Sequence, residues 1–136
     1  MPTITTPRPP LNLFNVNRIS VPSTYTTILD VPNYGIPANG PNPARTVQAV
    51  ALLTSLIVAN NSNATIQFSM QILDASNVTW QILTLMDIPP NDFALIELGK
   101  QNLPSGDRLR LKCENFQGAV ASLSYVLNQR EEFVTL

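Results

Sequence analysis

Histidine is missing altogether from this chain of 136 residues. That absence excludes Ser-His-Asp and Cys-His catalysis, histidine-containing zinc sites and an imidazole pH switch. A single cysteine, Cys113, excludes an intrachain disulfide and any multi-cysteine metal cluster. It shares the parity of Leu109 and Leu111, which makes it a small buried hydrophobe rather than a reactive thiol. There are five glycines, no two closer than five residues apart, so no glycine-rich phosphate loop exists. Charge is scarce as well: 12% of residues are charged, about half the usual share. With a net charge of −1 the chain carries no electrostatic footprint for nucleic acid.

Long apolar runs are also lacking. Val47 to Ala59 is interrupted by Gln48, Thr54 and Ser55 and is too short to span a bilayer. Residues 1–10 contain no apolar core of the kind a signal peptide needs. The expectation is a soluble product, made in a reducing cytoplasm, with no membrane partner.

In place of charge the chain uses neutral polar residues: 14 Asn, 12 Thr, 9 Ser and 7 Gln. Asn-x-Ser/Thr triplets begin at Asn60, Asn63 and Asn77; without a secretion signal they read as turns rather than glycan acceptors. Nine of the twelve prolines fall within the first 43 residues, which separates a Pro-rich N-terminal third from a compact remainder.

From Val47 onward the pattern is β. Ile66 to Ile72 alternates strictly between apolar and polar, as in a half-buried strand. Asn60 to Asn63 and Asp74 to Asn77 bracket it as turn clusters. Further strands are predicted over Thr24–Val31, Val78–Leu85, Phe93–Leu98, Arg108–Glu114 and Ala119–Leu127. Val47–Ala59 is apolar on both parities, which predicts a strand buried on both faces; a helix competes at that length. All five glycines fall in the predicted loops. The fold class is therefore all-β: an antiparallel β-sandwich, jelly-roll-like, over residues 24–136, preceded by an extended Pro-rich arm over residues 1–23.

Candidate chemistry is sparse. Asp74, Asp87, Asp92 and Asp107 sit in predicted turns, and Glu97 and Glu114 point outward from strands, so no catalytic carboxylate pair is expected. No calcium loop, metal site or cofactor site is expected either. Arg108, Arg110 and Lys112 form a cationic stripe along one strand, read either as a docking stripe for an acidic partner or as a solvated face with edge protection. Trp80, Tyr25, Tyr34 and Tyr125 read either as a sugar-stacking platform or as core and interface residues.

The arm is the informative segment. It carries Leu11, Leu13, Phe14, Val16, Ile19 and Val21 among Asn, Thr and Pro. Ordering it costs more backbone entropy than the burial of those side chains returns, unless it also adds a hydrogen-bonded strand to a sheet edge. A neighbouring subunit would offer the larger free edge, so these six residues are expected as interface anchors of an arm exchanged within an assembly.

Several stretches carry a family resemblance. They are Leu56-Ile57-Val58-Ala59-Asn60-Asn61-Ser62, then Ile88-Pro89-Pro90-Asn91-Asp92 leading into Leu95 to Leu98, then Leu103-Pro104-Ser105-Gly106-Asp107 with Arg108 to Lys112, and the closing Ala121 to Leu127. Together they resemble small β-sandwich virion proteins of tailed bacteriophages, notably those of marine cyanobacteria. The Pro-rich arm and Glu131-Glu132 have no counterpart in that pattern, and no active site carries over. The resemblance implies a non-enzymatic virion structural protein, made in the host cytoplasm and present in many copies as a homo-oligomer in a symmetric array. Its partners would be copies of itself and other virion proteins. The expected role is capsid decoration or cement. A neck or tail adaptor is the alternative within the virion, and a carbohydrate-binding receptor-recognition module the alternative outside that class.

Overall fold

A computed structural model of the chain describes residues 11–99, 101–114 and 118–133. Ten strands and no helix occur among them. The strands are β1 Leu11–Ser20, β2 Thr26–Asp30, β3 Asn33–Ile36, β4 Arg45–Asn60, β5 Ile66–Leu73, β6 Thr79–Ile88, β7 Asp92–Glu97, β8 Asn102–Leu103, β9 Arg108–Glu114 and β10 Ala119–Phe133. Every pairing is antiparallel.

The pairings define the topology. Setting aside the short β3 and β8, the first strand pairs with the last (β1 with β10), the second with the next to last (β2 with β9), then β4 with β7, and β5 with β6 at the centre. Four nested pairs of this kind are a long hairpin rolled up on itself. Two further ladders, β10 with β4 and β9 with β5, close the roll into two facing sheets. The large sheet runs β1-β10-β4, with β3, β8 and β7 in turn along the far edge of β4; the small sheet runs β2-β9-β5-β6. This is an eight-stranded jelly-roll sandwich.

The core lies between the sheets. Phe68, Met70 and Ile72 of β5 and Leu109, Leu111 and Cys113 of β9 face Ala51, Leu53, Leu56 and Val58 of β4 and Ala121, Leu123 and Tyr125 of β10. Cys113 is fully buried, and that burial pushes its thiol up to about 11.

The 16-residue β4 differs from the sequence-based expectation in an instructive way. It is buried on one face, not two. Val47, Ala49, Ala51 and Leu53 point inward, and a bulge opposite Ser124/Tyr125 then shifts the phase so that Leu56, Val58 and Asn60 point inward instead. Apolar residues on both parities are thus partly this phase shift and partly an exposed set: Val50, Leu52 and Ile57 are each about 40% exposed on the outer face. Gly35, expected in a loop, lies within β3.

The arm requires a second correction. Residues 11–20 pair along their whole length with β10 of the same chain. The Val21 amide continues the ladder by donating to the Ala119 carbonyl at 3.0 Å, and the Val21 side chain belongs to the core. The strand addition that the arm needs is therefore made within its own sandwich, which extends forward at least to Leu11. A boundary at residue 23 does not divide the described structure. The expected segment over residues 1–10 lies outside the described residues.

Turn chemistry supports the long strands. Asn60, fully buried at the end of β4, donates from its amide to the carbonyls of Ala64, Ile88 and Pro89 at 2.7, 3.0 and 3.0 Å. Its oxygen accepts from the Ser62 amide and hydroxyl at 3.0 and 2.6 Å. One side chain thus fastens two connections, and this first Asn-x-Ser triplet is a buried structural device. Gly118 sits at φ 88°, a left-handed conformation that strains any side chain, and an added Cβ would also press to 3.2 Å on the Asn61 backbone.

Candidate functional site

Cross-strand partners share a face of the sheet, so the ladders list what each outer surface presents. On the large sheet one row runs Phe14–Val126–Leu52 across β1, β10 and β4. The next rows are Val16–Ser124–Ser55, then Arg18–Ser122–Ile57–Leu95, then Ser20–Val120–Ala59–Phe93. Phe14 is 85% exposed, and Val16, Val50, Leu52, Ile57, Phe93, Leu95 and Val120 all stand open to solvent. The face is mixed: these apolar side chains are interspersed with Ser55, Ser122 and Ser124, Arg18 and Glu97 stand near opposite margins, and the adjoining row Asn12–Asn128–Val50 is mostly polar.

The outer face of the small sheet carries the charged row. Arg108, Arg110 and Lys112 of β9 lie beside Leu73, Gln71 and Ser69 of β5, and Gln67 of β5 lies beside Asp87 of β6. The cationic stripe is therefore real as a row, but β9 is flanked by β2 and β5, so it protects no edge. Its cations are already engaged. Arg108 Nη2 donates to Asn77 Oδ1 at 2.9 Å, and Lys112 Nζ pairs with Glu114 Oε1 at 3.9 Å. Arg110 and Lys112 both approach the Tyr25 ring, at 5.8 and 5.0 Å from its centroid.

The arm residues separate into two groups. Val21 is buried, and Ile19 packs against the core of its own sandwich. Phe14 and Val16 project from the outer face, while Leu13 is exposed on the inner parity opposite Leu127. Leu11 pairs through its backbone with Gln129.

The aromatic residues do not gather into one platform. Tyr125 is buried and donates its hydroxyl to Asn17 Oδ1 at 3.2 Å. Tyr25 sits on the small sheet, where its hydroxyl accepts from Gln81 Nε2 at 2.9 Å. Tyr34 is exposed on β3. Trp80 lies in a cleft at the end of the sandwich, and its indole N–H donates to Asp74 Oδ2 at 2.9 Å. That hydrogen bond, followed by those from the Val78 and Ser76 amides, holds the Asp74 carboxyl below the ordinary carboxylate range. Asp107 moves the other way: burial pushes it up, the Ala75 amide at 3.2 Å works against that shift, and the charge of Asp74 adds to it. Among the described residues no three His, Cys, Asp or Glu side chains gather as a metal site would require.

Sequence reasoning missed Val50, Leu52, Ile57, Phe93, Leu95, Val120 and Val126 as surface residues. The available signal was the surplus of apolar residues along β4, more than one buried face could use.

No protein-family model and no curated protein matches the chain. Among solved structures, the T13 IBDV viral particle matches at 10% identity with a TM-score of 0.43, over 98% of this chain and 38% of the viral one. Infectious bursal disease virus of the Gx strain matches at 9% identity with a TM-score of 0.40, over 99% of this chain and 40% of that one. A xylan-binding domain from CBM 22 matches at 10% identity with a TM-score of 0.31, over 70% of this chain and 68% of its own. The chain spans about two fifths of the viral chains it matches. These are likenesses of β-sandwich architecture.

Proposed function

We propose that this chain is a non-enzymatic structural protein of a bacteriophage virion, a decoration or cement subunit. It docks on the shell through the outer face of its large sheet and adjoins further copies of itself there. The observation that carries this reading is the asymmetry between the two outer faces. A sandwich buries its inner faces and ordinarily leaves both outer faces polar. Here the outer face of the small sheet carries the charged row of Arg108, Arg110 and Lys112, whereas that of the large sheet exposes Phe14, Val16, Val50, Leu52, Ile57, Phe93, Leu95 and Val120 among small polar residues.

Magnitude supports the reading. With roughly 150–200 Å² per large side chain, the exposed fractions of these side chains sum to on the order of 700 Å². Spread over four adjacent strands and interspersed with serines, that apolar area is of the order of one partner's share of a standard protein interface, about 800 Å². The resemblance of the turn sequences to phage virion proteins supplies the kind of assembly.

The test is quantitative mass spectrometry of purified particles. Copies on the order of hundreds support a shell subunit. A small number matching the symmetry of a ring places the chain at the neck or tail as an adaptor and overturns the decoration role. Absence from the particle overturns the whole reading.

A further inference from the structure

At one end of the sandwich the two sheets part. The register sets Trp80 opposite Ile72 on the core side of the small sheet. The facing element here is the two-residue β8, and Ile72 is buried while Trp80 is 58% exposed in a cleft of about 550 Å³. The indole is held in place. Its N–H is tied to Asp74 Oδ2 at 2.9 Å, and Asp74 Oδ1 accepts from the amides of Ser76 and Val78, each at 2.9 Å. The Ala75 amide donates to Asp107 Oδ1, which locks this loop to the turn before β9. Gln101 and Asn102 line the cleft with uncharged amides.

A second cleft of about 500 Å³ lies beyond Ala75 and reaches the exposed Tyr34 and Asn33. Ala75 lines both clefts, and Gly106 (φ +85°) packs so closely against it that an added Cβ would stand 2.9 Å from Ala75 Cβ. An aromatic residue thus sits on either side of Ala75, with neutral hydrogen-bonding groups and carboxylates around them.

We propose that these two clefts bind a neutral oligosaccharide, with one sugar ring on Trp80 and another toward Tyr34. A fixed, exposed indole offers an apolar face to the C–H side of a pyranose. The exposed Asn102 amide, with the half-buried Gln101 amide and Asp74 carboxylate, matches its hydroxyls. Anionic polymers are disfavoured, because Asp30, Asp74 and Asp107 line the clefts and the lining cation, Arg108, is already bonded to Asn77. The site lies at the end of the sandwich, apart from the outer face of the large sheet, and stands independently of the assembly reading.

The full chain contains one tryptophan, so its fluorescence reports this cleft directly. Xylohexaose, cellohexaose and mannohexaose are titrated in turn, with calorimetry as a second readout. At least one is expected to give a saturable emission shift. Calorimetry should show about a tenfold loss for Trp80→Ala, the upper range for one aromatic contact, and a smaller loss for Tyr34→Ala. Tyr34→Ala should melt as the parent does, and Trp80→Ala, which also removes the indole bond to Asp74, should stay folded with a somewhat lower midpoint. No saturable response to any of the three sugars overturns the proposal, as does affinity unchanged in Trp80→Ala. A response to choline in place of the sugars also overturns it, by making the cleft a cation site.

Discussion

Phe14 stands directly across the β1–β10 ladder from Val126, and Val126 stands across the next ladder from Leu52, so three apolar side chains cross the outer face of the large sheet in one row. Phe14 lies on an edge strand that has no proline and a single charge, Arg18. A long edge strand with one charge and an exposed Phe14 is a liability in a free monomer and an asset in an assembly. The account therefore divides the molecule into an inner core that sets stability and an outer face that sets association, and each part is open to substitution.

Phe68 tests the core. It is fully buried on the central β5 between Cys113 and Met86 in the ladders. Phe68→Ala should lower stability by roughly 3–5 kcal/mol, read from denaturant unfolding. An unchanged midpoint would mean that the inward parity of β5 is wrong.

Asn60 tests the fastening of the turns. Asn60→Ala leaves the carbonyls of Ala64, Ile88 and Pro89 without their donor in a buried position. A loss of at least about 2 kcal/mol is expected. The variant should remain β-rich by circular dichroism, because the ladders themselves are intact.

Asp74 and Asp107 should respond to pH with opposite signs. Asp74 has a depressed carboxyl, so its contribution is present above the ordinary pKa of 3.8 and is lost as pH falls through the lower folded-state value. Asp74→Asn should therefore melt below the parent at neutral pH and converge with it in acid. Asp107 has a raised carboxyl, so its ionised form costs stability above the folded-state pKa, and that cost disappears as pH falls through it. Asp107→Asn should match or exceed the parent at neutral pH, and its advantage should fade in acid. Melting curves across this range decide both.

Cys113 should be inert in the native state. Full burial and a thiol raised to about 11 leave little thiolate at pH 8. Reaction with a disulfide reagent should proceed only as fast as the chain unfolds. A fast native-state reaction would place the thiol at the surface.

The legible part of the fold was the part written in local alternation. Ile66 to Ile72 and Arg108 to Glu114 read as half-buried strands because one inward face, unbroken in phase, fixes their parity. The β4 strand was legible as a strand but not in its burial, because a bulge changes the phase after Leu53 and the pattern then resembles burial on both sides. The short β3 and β8 carry too few residues for any period. The arm was misassigned for a different reason. Its alternation is diluted by Asn15 and Asn17 at inward positions, and Asn17 finds a partner only in the fold, donating to the Ile28 carbonyl at 2.8 Å. Trp80 and Asp74 are six residues apart, yet their contact depends on the hairpin loop between them, which composition marks only as a turn.

The outer face of the large sheet is tested most directly by a chain carrying Phe14→Lys and Leu52→Lys. Both side chains are exposed, so stability should stay within about 0.5 kcal/mol per site. Supplied in place of the parent during particle production, the variant should fold and yet be missing from purified particles. Incorporation of the folded variant at the parent's copy number would contradict the account.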